Sequence, residues 1–374
     1  MSAANSGPGT TGRIVALGEL LVDLVPPTQG ESLESTATFV KAAGGAPANV
    51  AAGAALLGAN ASFIGRVGDD AFGRFLVKTL AEVGVDVAAV RVDPTAQTML
   101  AFVSLSEAGE RDFAFYGRPA AHERLTPGDV DERLVSEAAI LHFGSVGMIA
   151  EPSRSATLRA VDLAERHGSL ISFDPNLRLS LWPSAAAARK AILEMLPRAH
   201  LVKLSEEELE FLGGGVVPQQ AHPWSGDRSA LNSLAGERTR LLLLTLGGRG
   251  ARYLLRPAPL AADQGVRPEV SAAAGQPPSP PWLSGDVAGF AVETVDTTGA
   301  GDAFVAALLA SIAAEPLTIS DEEKLRASIV RANAFAALTT TRRGGIPAMP
   351  RPAELAAFLA KTRTAPLRAP LSNR

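Results

Sequence analysis

The chain contains no cysteine. Disulfides, thiolate nucleophiles and cysteine-ligated zinc are therefore excluded. Aromatic residues make up only 5% of the 374 residues, and 35 basic side chains stand against 39 acidic ones, for a net charge of -4. With neither a basic stripe nor a stacking platform, no nucleic acid is expected as partner, and a small neutral or anionic metabolite is. Histidines are few, and His122, His142, His167, His200 and His222 fall at no metal-ligand spacing. No uninterrupted apolar run reaches the roughly 18 residues a membrane helix needs. The stretch MSAANSGPGTTGR is small and polar, so neither a signal peptide nor an anchor is expected there. A cytoplasmic protein with no membrane partner follows as the expectation. The G-x-x-x-x-G-K-[ST] pattern is also missing, which excludes a P-loop. Two literal motif matches carry no weight: GPGTTG at 7–12 precedes the first strand instead of following one, and Asn60-Ala61-Ser62 lacks a secretory context for glycosylation.

What is present reads as one α/β core with a smaller attachment. RIVALGELLVDLVP is a continuous apolar run ended by prolines, as expected of a strand buried on both faces. PANVAAGAALLGA predicts a helix of small residues, ASFIGRVG a strand, and AFGRFLVKTLAEVG an amphipathic helix. Later, EAAILHFGSV, GSLISFDPN, AHLVKLS and TRLLLLTLGG read as short strands separated by helices such as SRSATLRAVDLAERHG. Strands alternating with helices predict a mostly parallel sheet. Two stretches break the alternation. ESLESTATFVKAAGG and TMLAFVSLSEAGERDFAFYG read as β segments with no helix between, the second a hairpin turning at Glu107-Ala108-Gly109-Glu110. Together they predict a small sheet projecting from a core. The division expected is core over 13–30, 44–96 and 120–362, and lid over 31–43 and 97–119. The segments near 213–236 and 256–286 read as surface insertions, the latter mobile, and the tail TAPLRAPLSNR as frayed.

The chemistry concentrates in DTTGAGDAF at 296–304, which runs directly into the apolar stretch VAALLASIA. The first N–H groups of a helix lack intrahelical partners and sit at the positive end of its dipole, so phosphate binds there. Gly299 and Gly301, with Ala300 between, let an anion approach closely. Asp302 beside such an anion would be repelled unless it accepted a proton from a substrate hydroxyl held between the two. The same aspartate would equally serve as a plain complement to the helix dipole, worth about 0.3–1 kcal/mol.

For the other candidates, taken singly, the structural reading is the commoner one. AAGGAPANVAAG places Gly44, Gly45 and Asn49 at a second glycine-rich helix start, suited either to a polar ligand or to a tight turn. Asp23 ends an apolar strand, at the edge where open α/β sheets bind ligands. In DPNLR, Pro175 stops a strand and Arg178 can aim at that edge or pair with a surface acid. Ser205 and Glu208 have the spacing of a capping box, and the carboxylates there could also hold a hydrated Mg²⁺. TLGGRGARYLL is a hairpin or a wall for a nucleotide.

GGAPAN near the start and DTTGAGDAF near the end together resemble the ribokinase-like sugar kinases, or phosphofructokinase B family. The resemblance runs from about Ile14 to about Leu359, through GELLVD, AGGAPANVA, IGRVGDDAFG, ERDFAFYGRPAA, SVGMIAEPSRS, SFDPNLRLSLWPS, VKLSEEELEFL, TLGGRGA, VDTTGAGDAF and TTRRGGIPA. SFDPNLRLSLWPS is similar to the fructokinase branch. The resemblance implies a three-layer α/β/α core with a β lid, and transfer of a phosphoryl group from ATP to the 6-hydroxyl of D-fructose. It implies Asp302 as base and the amides of Gly299, Ala300, Gly301 and Asp302 as anion hole. It further implies Asp23, Gly44, Gly45, Asn49 and Arg178 on the sugar, with Phe102 and Phe115 covering it from the lid. Lys203, Ser205, Glu208, Thr245, Gly247, Gly250 and Asn333 would serve ATP and Mg²⁺, although Ser205 stands where the family has Asn in N-x-x-E. A monovalent cation such as K⁺ would sit by Asp296, Thr298, Thr339, Arg342 and Gly344, chiefly on backbone carbonyls. Homodimerisation through exposed lid edges is also expected. Where fructokinases commonly read FYRNPSAD this chain has FYGRPAAH, so Gly117, Arg118 and His122 change the lid's return. A kinase of 2-keto-3-deoxygluconate or of a riboside, and a non-catalytic interaction protein, stand as the alternatives.

Overall fold

The computed structural model describes residues 12–27, 32–105, 111–213, 234–256 and 282–364. The expected turn at 107–110, most of 213–236 and 256–286, nearly all of 7–12 and the tail beyond Thr364 lie outside the described residues.

The apolar run at 13–26 does not form one strand. β1 (Ile14–Leu17) belongs to a nine-stranded sheet, whereas β2 (Leu21–Val25) belongs to a separate four-stranded one. Gly18, at φ 152, makes the break, and a Cβ there would stand 2.7 Å from Cγ of Pro47. Only glycine lets the chain turn out of the core beside that proline. The expected core segment 13–30 is therefore corrected: its second half is lid.

Of the described part of ESLESTATFVKAAGG, five residues near its end pair, as β3 (Val40–Gly44). After α1 (Ala46–Leu56), β4 (Ala61–Gly68), α2 (Ala71–Glu82) and β5 (Val90–Asp93), the chain re-enters the lid as β6 (Leu100–Leu105) and β7 (Arg111–Tyr116). The lid order is β3-β2-β6-β7, with β6 and β7 forming the expected antiparallel hairpin. Register decides which side chains face inward. Asp23 pairs with Ala101 and Ala101 with Phe115, which puts these three on one face. Leu24 pairs with Phe102 on the other.

The chain then runs through α3 (Glu132–Ser136), β8 (Ile140–Phe143), α4 (Ser153–His167), β9 (Leu170–Phe173), α5 (Ala185–Met195), β10 (Leu201–Ser205), α6 (Glu206–Leu212), β11 (Leu241–Thr245), β12 (Gly250–Leu255) and β13 (Leu283–Ala288). Three helices close it: α7 (Ala300–Ala314), α8 (Glu322–Thr339) and α9 (Pro352–Thr364). The large sheet has the order β13-β12-β11-β10-β9-β8-β1-β4-β5, parallel throughout except for β12 and β13. Alternate residues of its strands serve opposite layers. Leu242 and Leu244 pack with Ala160 of α4 and Ile192 of α5, while Leu241 and Leu243 pack with Leu308 of α7 and Ile329 of α8. Each such leucine, buried on folding, contributes about 1.5–3 kcal/mol. The small residues of α1 have a steric cause: a Cβ on Gly53 would stand 2.7 Å from Cβ of Ala306 on α7. The result is the expected three-layer α/β/α core. Its strand order reverses between β1 and β8, and ligands of open α/β sheets bind at the carboxyl ends of strands beside such a switch point.

Two buried histidines make the fold acid-sensitive. Burial pushes His122 down to about 4, with Glu123 opposing and Arg118 reinforcing, and neither ring nitrogen has a partner among the described residues. Burial and Lys203 push His142 down to about 3. A histidine whose folded pKa lies below its unfolded value near 6.5 takes its proton first in the unfolded chain, so stability is lost as pH falls below that value. His122→Leu is expected to recover about 3 kcal/mol of that acid loss. Urea midpoints of both proteins at pH 7 and pH 4.5 test this, and parallel losses would count against it. The comparison cancels carboxyls that titrate in the opposite sense.

Candidate active site

The site forms where the carboxyl ends of β1, β8, β9 and β10 meet the N-terminus of α7 beneath the lid. Gly299 caps α7 with φ 73, a left-handed conformation, and the Ala300 amide that follows donates to Thr297 O at 3.2 Å. Three cavities converge on this helix start, the first bounded by Gly299 and Asp302, the second by Ala300 and Gly301, the third by Gly299, Gly301 and Asp302. An anion seated at the amides is thus open to ligands on either side.

Asp302 is buried in the first turn of α7. Its Oδ2 accepts from Nδ2 of Asn49 at 2.8 Å, and its Oδ1 from Nδ2 of Asn176 at 2.8 Å. Burial raises its pKa, opposed by Asn49, then by Arg178 and Lys203, and by Asn176. The outcome is a carboxylate more basic than usual, held in one orientation.

The first cavity lies between lid and core. Asp23, Gly45, Asn49, Phe115, Arg178, Gly299 and Asp302 line it together with Glu19 and Ala101. Asp23 stands within β2 and not at the edge of the core sheet, so it comes to the site from the lid. Phe102 corrects an expectation. It faces away, with its ring centroid 5.1 Å from Phe39 and 5.2 Å from Tyr116, and its neighbour Ala101 occupies the inner face. Two buried oxygens lack a partner among the described residues, Oδ1 of Asn49 and Oε2 of Glu19. Such orphaned acceptors suit a ligand rich in hydroxyl groups. Burial pushes the Glu19 carboxyl up to about 7, with its own N–H and that of Ala46 pulling back.

The third cavity carries the buried ion cluster. Lys203 reaches Asp174 at 3.2 Å and Glu208 at 4.0 Å. Burial alone would lower its ammonium, but Asp174, Glu208 and Asp302 together raise it. A Cβ on Gly301 would lie 3.4 Å from Nζ of Lys203, so this cation flanks the helix start. The capping box forms as expected, Ser205 Oγ accepting from Glu208 N at 3.2 Å and Glu208 Oε2 from Ser205 N at 2.8 Å. Glu208 Oε1 accepts from Leu177 N at 2.8 Å. Both its oxygens thus bind the chain itself, and among the described residues no cluster of three metal-ligating side chains forms. Glu208 can therefore meet a metal only beyond a water or through lone pairs left over from these bonds.

The second cavity is an open, largely apolar groove lined by Thr245, Gly247, Gly250 and Asn333, with Phe290 and Ala337. TLGGRGARYLL proves to be both hairpin and groove wall, β11 and β12 running antiparallel about it. Asn333 donates to Val287 O and Ala288 O, each at 3.1 Å, so its amide also fastens β13. Nearby, Asp296 accepts from Thr298 N at 2.8 Å and Oγ1 at 2.6 Å, and from Gly344 N at 2.9 Å. Thr339 donates to Phe335 O at 2.9 Å, and Arg342 points outward to Glu354. Asp296 therefore braces two loops, and Arg342 can offer the site its backbone alone.

Sequence reasoning passed over Asn176, Glu19 and Ala101. Glu19 had a signal, a carboxyl inside an apolar run. Asn176 had a weaker one, an asparagine following Asp-Pro, where left-handed backbone is tolerated.

Residues 11–268 and 284–352 match the family described as pfkB family carbohydrate kinase. The chain belongs to that carbohydrate kinase family. Fructokinase-1 of Zea mays is 43% identical to this kinase over 348 residues, covering 93% of this chain and 98% of that protein. The structure of a fructokinase from Vibrio cholerae O395 with fructose, ADP and calcium superposes with TM-score 0.76 at 32% identity, covering 94% of this chain and 100% of that one. A fructokinase from Xylella fastidiosa with bound ATP gives TM-score 0.76 at 31% identity, covering 94% and 99%.

One glycine of the kinase yields a prediction here. A Cβ on Gly44 would stand 2.1 Å from Oδ2 of Asp23, so Gly44→Ala must push that carboxylate out of the first cavity. The KM for the acceptor sugar is expected to rise by about tenfold or more, with kcat changing less, as for a lost ground-state contact. Steady-state kinetics decide; an unchanged KM would show that Asp23 does not bind the sugar.

Proposed function

We propose that this kinase transfers the terminal phosphoryl group of ATP to the 6-hydroxyl of D-fructose. The observation that carries this is the placement of Asp302, a buried carboxylate in the first turn of α7, where it faces both the first cavity beneath the lid and the third cavity beside Lys203. Fructose occupies the first cavity, with Asp23, Asn49 and Arg178 on its hydroxyls, Gly44 and Gly45 leaving room and Phe115 covering it. ATP lies in the second and third, with Thr245, Gly247, Gly250 and Asn333 about the nucleoside and Lys203 and Ser205 beside the phosphates. Asp302 takes the proton of the 6-hydroxyl as its oxygen bonds to phosphorus and the bond from phosphorus to the ADP oxygen breaks. The amides of Gly299, Ala300, Gly301 and Asp302 spread the developing charge. The lid excludes water, which would otherwise accept the phosphoryl group.

Glu208 would serve as an outer partner of a hydrated Mg²⁺, and such an ion would supply neutralisation of the phosphate charge. Asp296, Thr298, Thr339, Gly344 and the backbone of Arg342 frame loops whose carbonyls suit K⁺. No described helix is long and apolar enough to cross a membrane, in keeping with a cytoplasmic enzyme. Pairing of two chains through their lids is supported by the outer-face cluster of Phe39, Phe102 and Tyr116, the last 59% exposed. Sedimentation at micromolar concentration reads that pairing directly.

A panel of sugars with ADP release as readout tests the substrate. Fructose is expected to lead. Another acceptor outranking it by about a hundredfold in kcat/KM would overturn the assignment, a sugar acid or riboside being the alternatives, and no turnover of any sugar would favour a non-catalytic protein.

A further inference from the structure

We propose that Asn176 is the positioning residue of the reaction: with Asn49 it clamps both oxygens of Asp302, fixing the carboxylate's plane before substrate arrives. The inference rests on the reading of Asp302 as base. The two amides come from independent parts of the fold, Asn49 from α1 and Asn176 from the loop after β9, and each donates at 2.8 Å to a different oxygen. A carboxylate accepting on both oxygens cannot rotate freely about its Cβ–Cγ bond. One further lone pair on an oxygen is then left to meet the acceptor hydroxyl.

The backbone supports this reading. Asn176 is the one non-glycine residue with positive φ among the described residues, at 44°. Such strain persists where the surroundings over-determine it, commonly at active sites. Glycine would relieve it, but glycine has no amide to offer Asp302. The loop is fastened from both sides: Asn176 N donates to Asp174 Oδ1 at 3.1 Å, Lys203 Nζ to the same oxygen at 3.2 Å, and Leu177 N to Glu208 Oε1 at 2.8 Å. The ion cluster beside the phosphate site therefore holds the residue that holds the base.

The clamp also sets how strongly Asp302 binds its proton. Charged or titratable groups about it are Glu19 from the β1–β2 turn, Asp23 from the lid, Asp174 and Arg178 around the β9 loop, and Lys203 from β10. Against the burial that raises Asp302, both amides favour the ionised form. Losing one raises it further, and activity limited by an ionised base then fails at a higher pH on the acid side.

Asn176→Gly keeps the left-handed backbone and deletes the donor. Asn176→Asp keeps the shape and replaces the donor with a second carboxyl. With sugar and nucleotide saturating, kcat of Asn176→Gly is expected to fall about 30- to 100-fold, with the sugar KM changing less than about threefold. The acid limb of its kcat profile should move to higher pH, and that of Asn176→Asp further still. Wild-type kcat and an unmoved acid limb in folded Asn176→Gly would overturn the proposal. So would a change confined to the sugar KM, which would make Asn176 a sugar contact. If Asn176→Gly does not fold, the limb of Asn176→Asp decides alone. Measurements use whichever sugar the wild type turns over best, so a wrong sugar assignment does not disturb the test. Full activity in Asp302→Asn would instead sink the base itself.

Discussion

Replacing Asp302 with Asn is expected to lower kcat by a factor on the order of 10² to 10⁴, the range for losing a positioned proton acceptor. The variant keeps the shape of the side chain and the α7 amides, but its NH2 meets another donor, so one of the two bonds from Asn49 and Asn176 is lost. KM values for sugar and nucleotide should still stay within a few-fold of wild type. Stopped-time ADP release with the best acceptor measures this, and calorimetric binding of the sugar confirms an intact site. More than a tenth of wild-type turnover in Asp302→Asn would refute the role of the carboxylate. Stability supplies a second signature. Burial raises the Asp302 pKa, so in the wild type its contribution is greatest at acid pH and declines as pH rises toward the folded pKa. Asn does not titrate. The stability of the variant relative to wild type should thus improve as pH rises.

Lys203→Met should be the more damaging change to the fold. Removing one partner of a buried ion cluster costs about 3–5 kcal/mol, because the remaining charges lose their counter-ion without regaining water. Asp174 and Glu208 are the groups left behind, both buried. Burial already raises the Asp174 carboxyl against the pull of Lys203, and without the lysine it rises further. A carboxyl with a raised folded pKa destabilises most above that pKa and least where it is protonated. The deficit of Lys203→Met should therefore be large at pH 8 and shrink by pH 5, as read from urea midpoints. An equal deficit at both values would mean that packing, not charge, is what was lost. Activity should fall too, by at least about tenfold, since the cation flanks the helix start where phosphate would gather charge.

Together these variants separate the two functions gathered in one place. In the proposed reaction Asp302 acts on the acceptor, while Lys203 holds, through Asp174, the loop that carries Asn176 and Arg178. The kinase reading predicts that the first loses turnover with little loss of stability. For the second, both fall.

The parts of this site that could be read from the chain are those whose physics is local. Glycines followed at once by an apolar run mark a helix start in any context, so Gly299 to Asp302 and Gly44 to Asn49 stood out without a structure. The capping box of Ser205 and Glu208 and the hairpin about Gly247 are equally local, and both form. Periodicity likewise indicated parallel strands between helices, because a strand buried on both faces must be apolar throughout.

What failed depended on neighbours distant in sequence. The run 13–26 is as apolar in its lid half as in its core half, and only Pro47 pressing on Gly18 reveals the turn between them. Phe102 and Ala101 exchange faces with a one-residue change of register, which composition does not encode. Asn49 was read as a sugar ligand, and what the sequence did not show is that its Nδ2 also goes to Asp302, 253 residues away. Asn176 was passed over because its partner also arrives from α7. The sequence by itself determined the fold class, the glycine-rich helix start and the identity of the acid within it. The tertiary structure alone decided which amides grip that acid, which lid residues face it and which cation stands behind them. Helix starts and strand periods follow from bonds between near neighbours, whereas a site at a switch point is assembled from strand ends that only sheet order brings together.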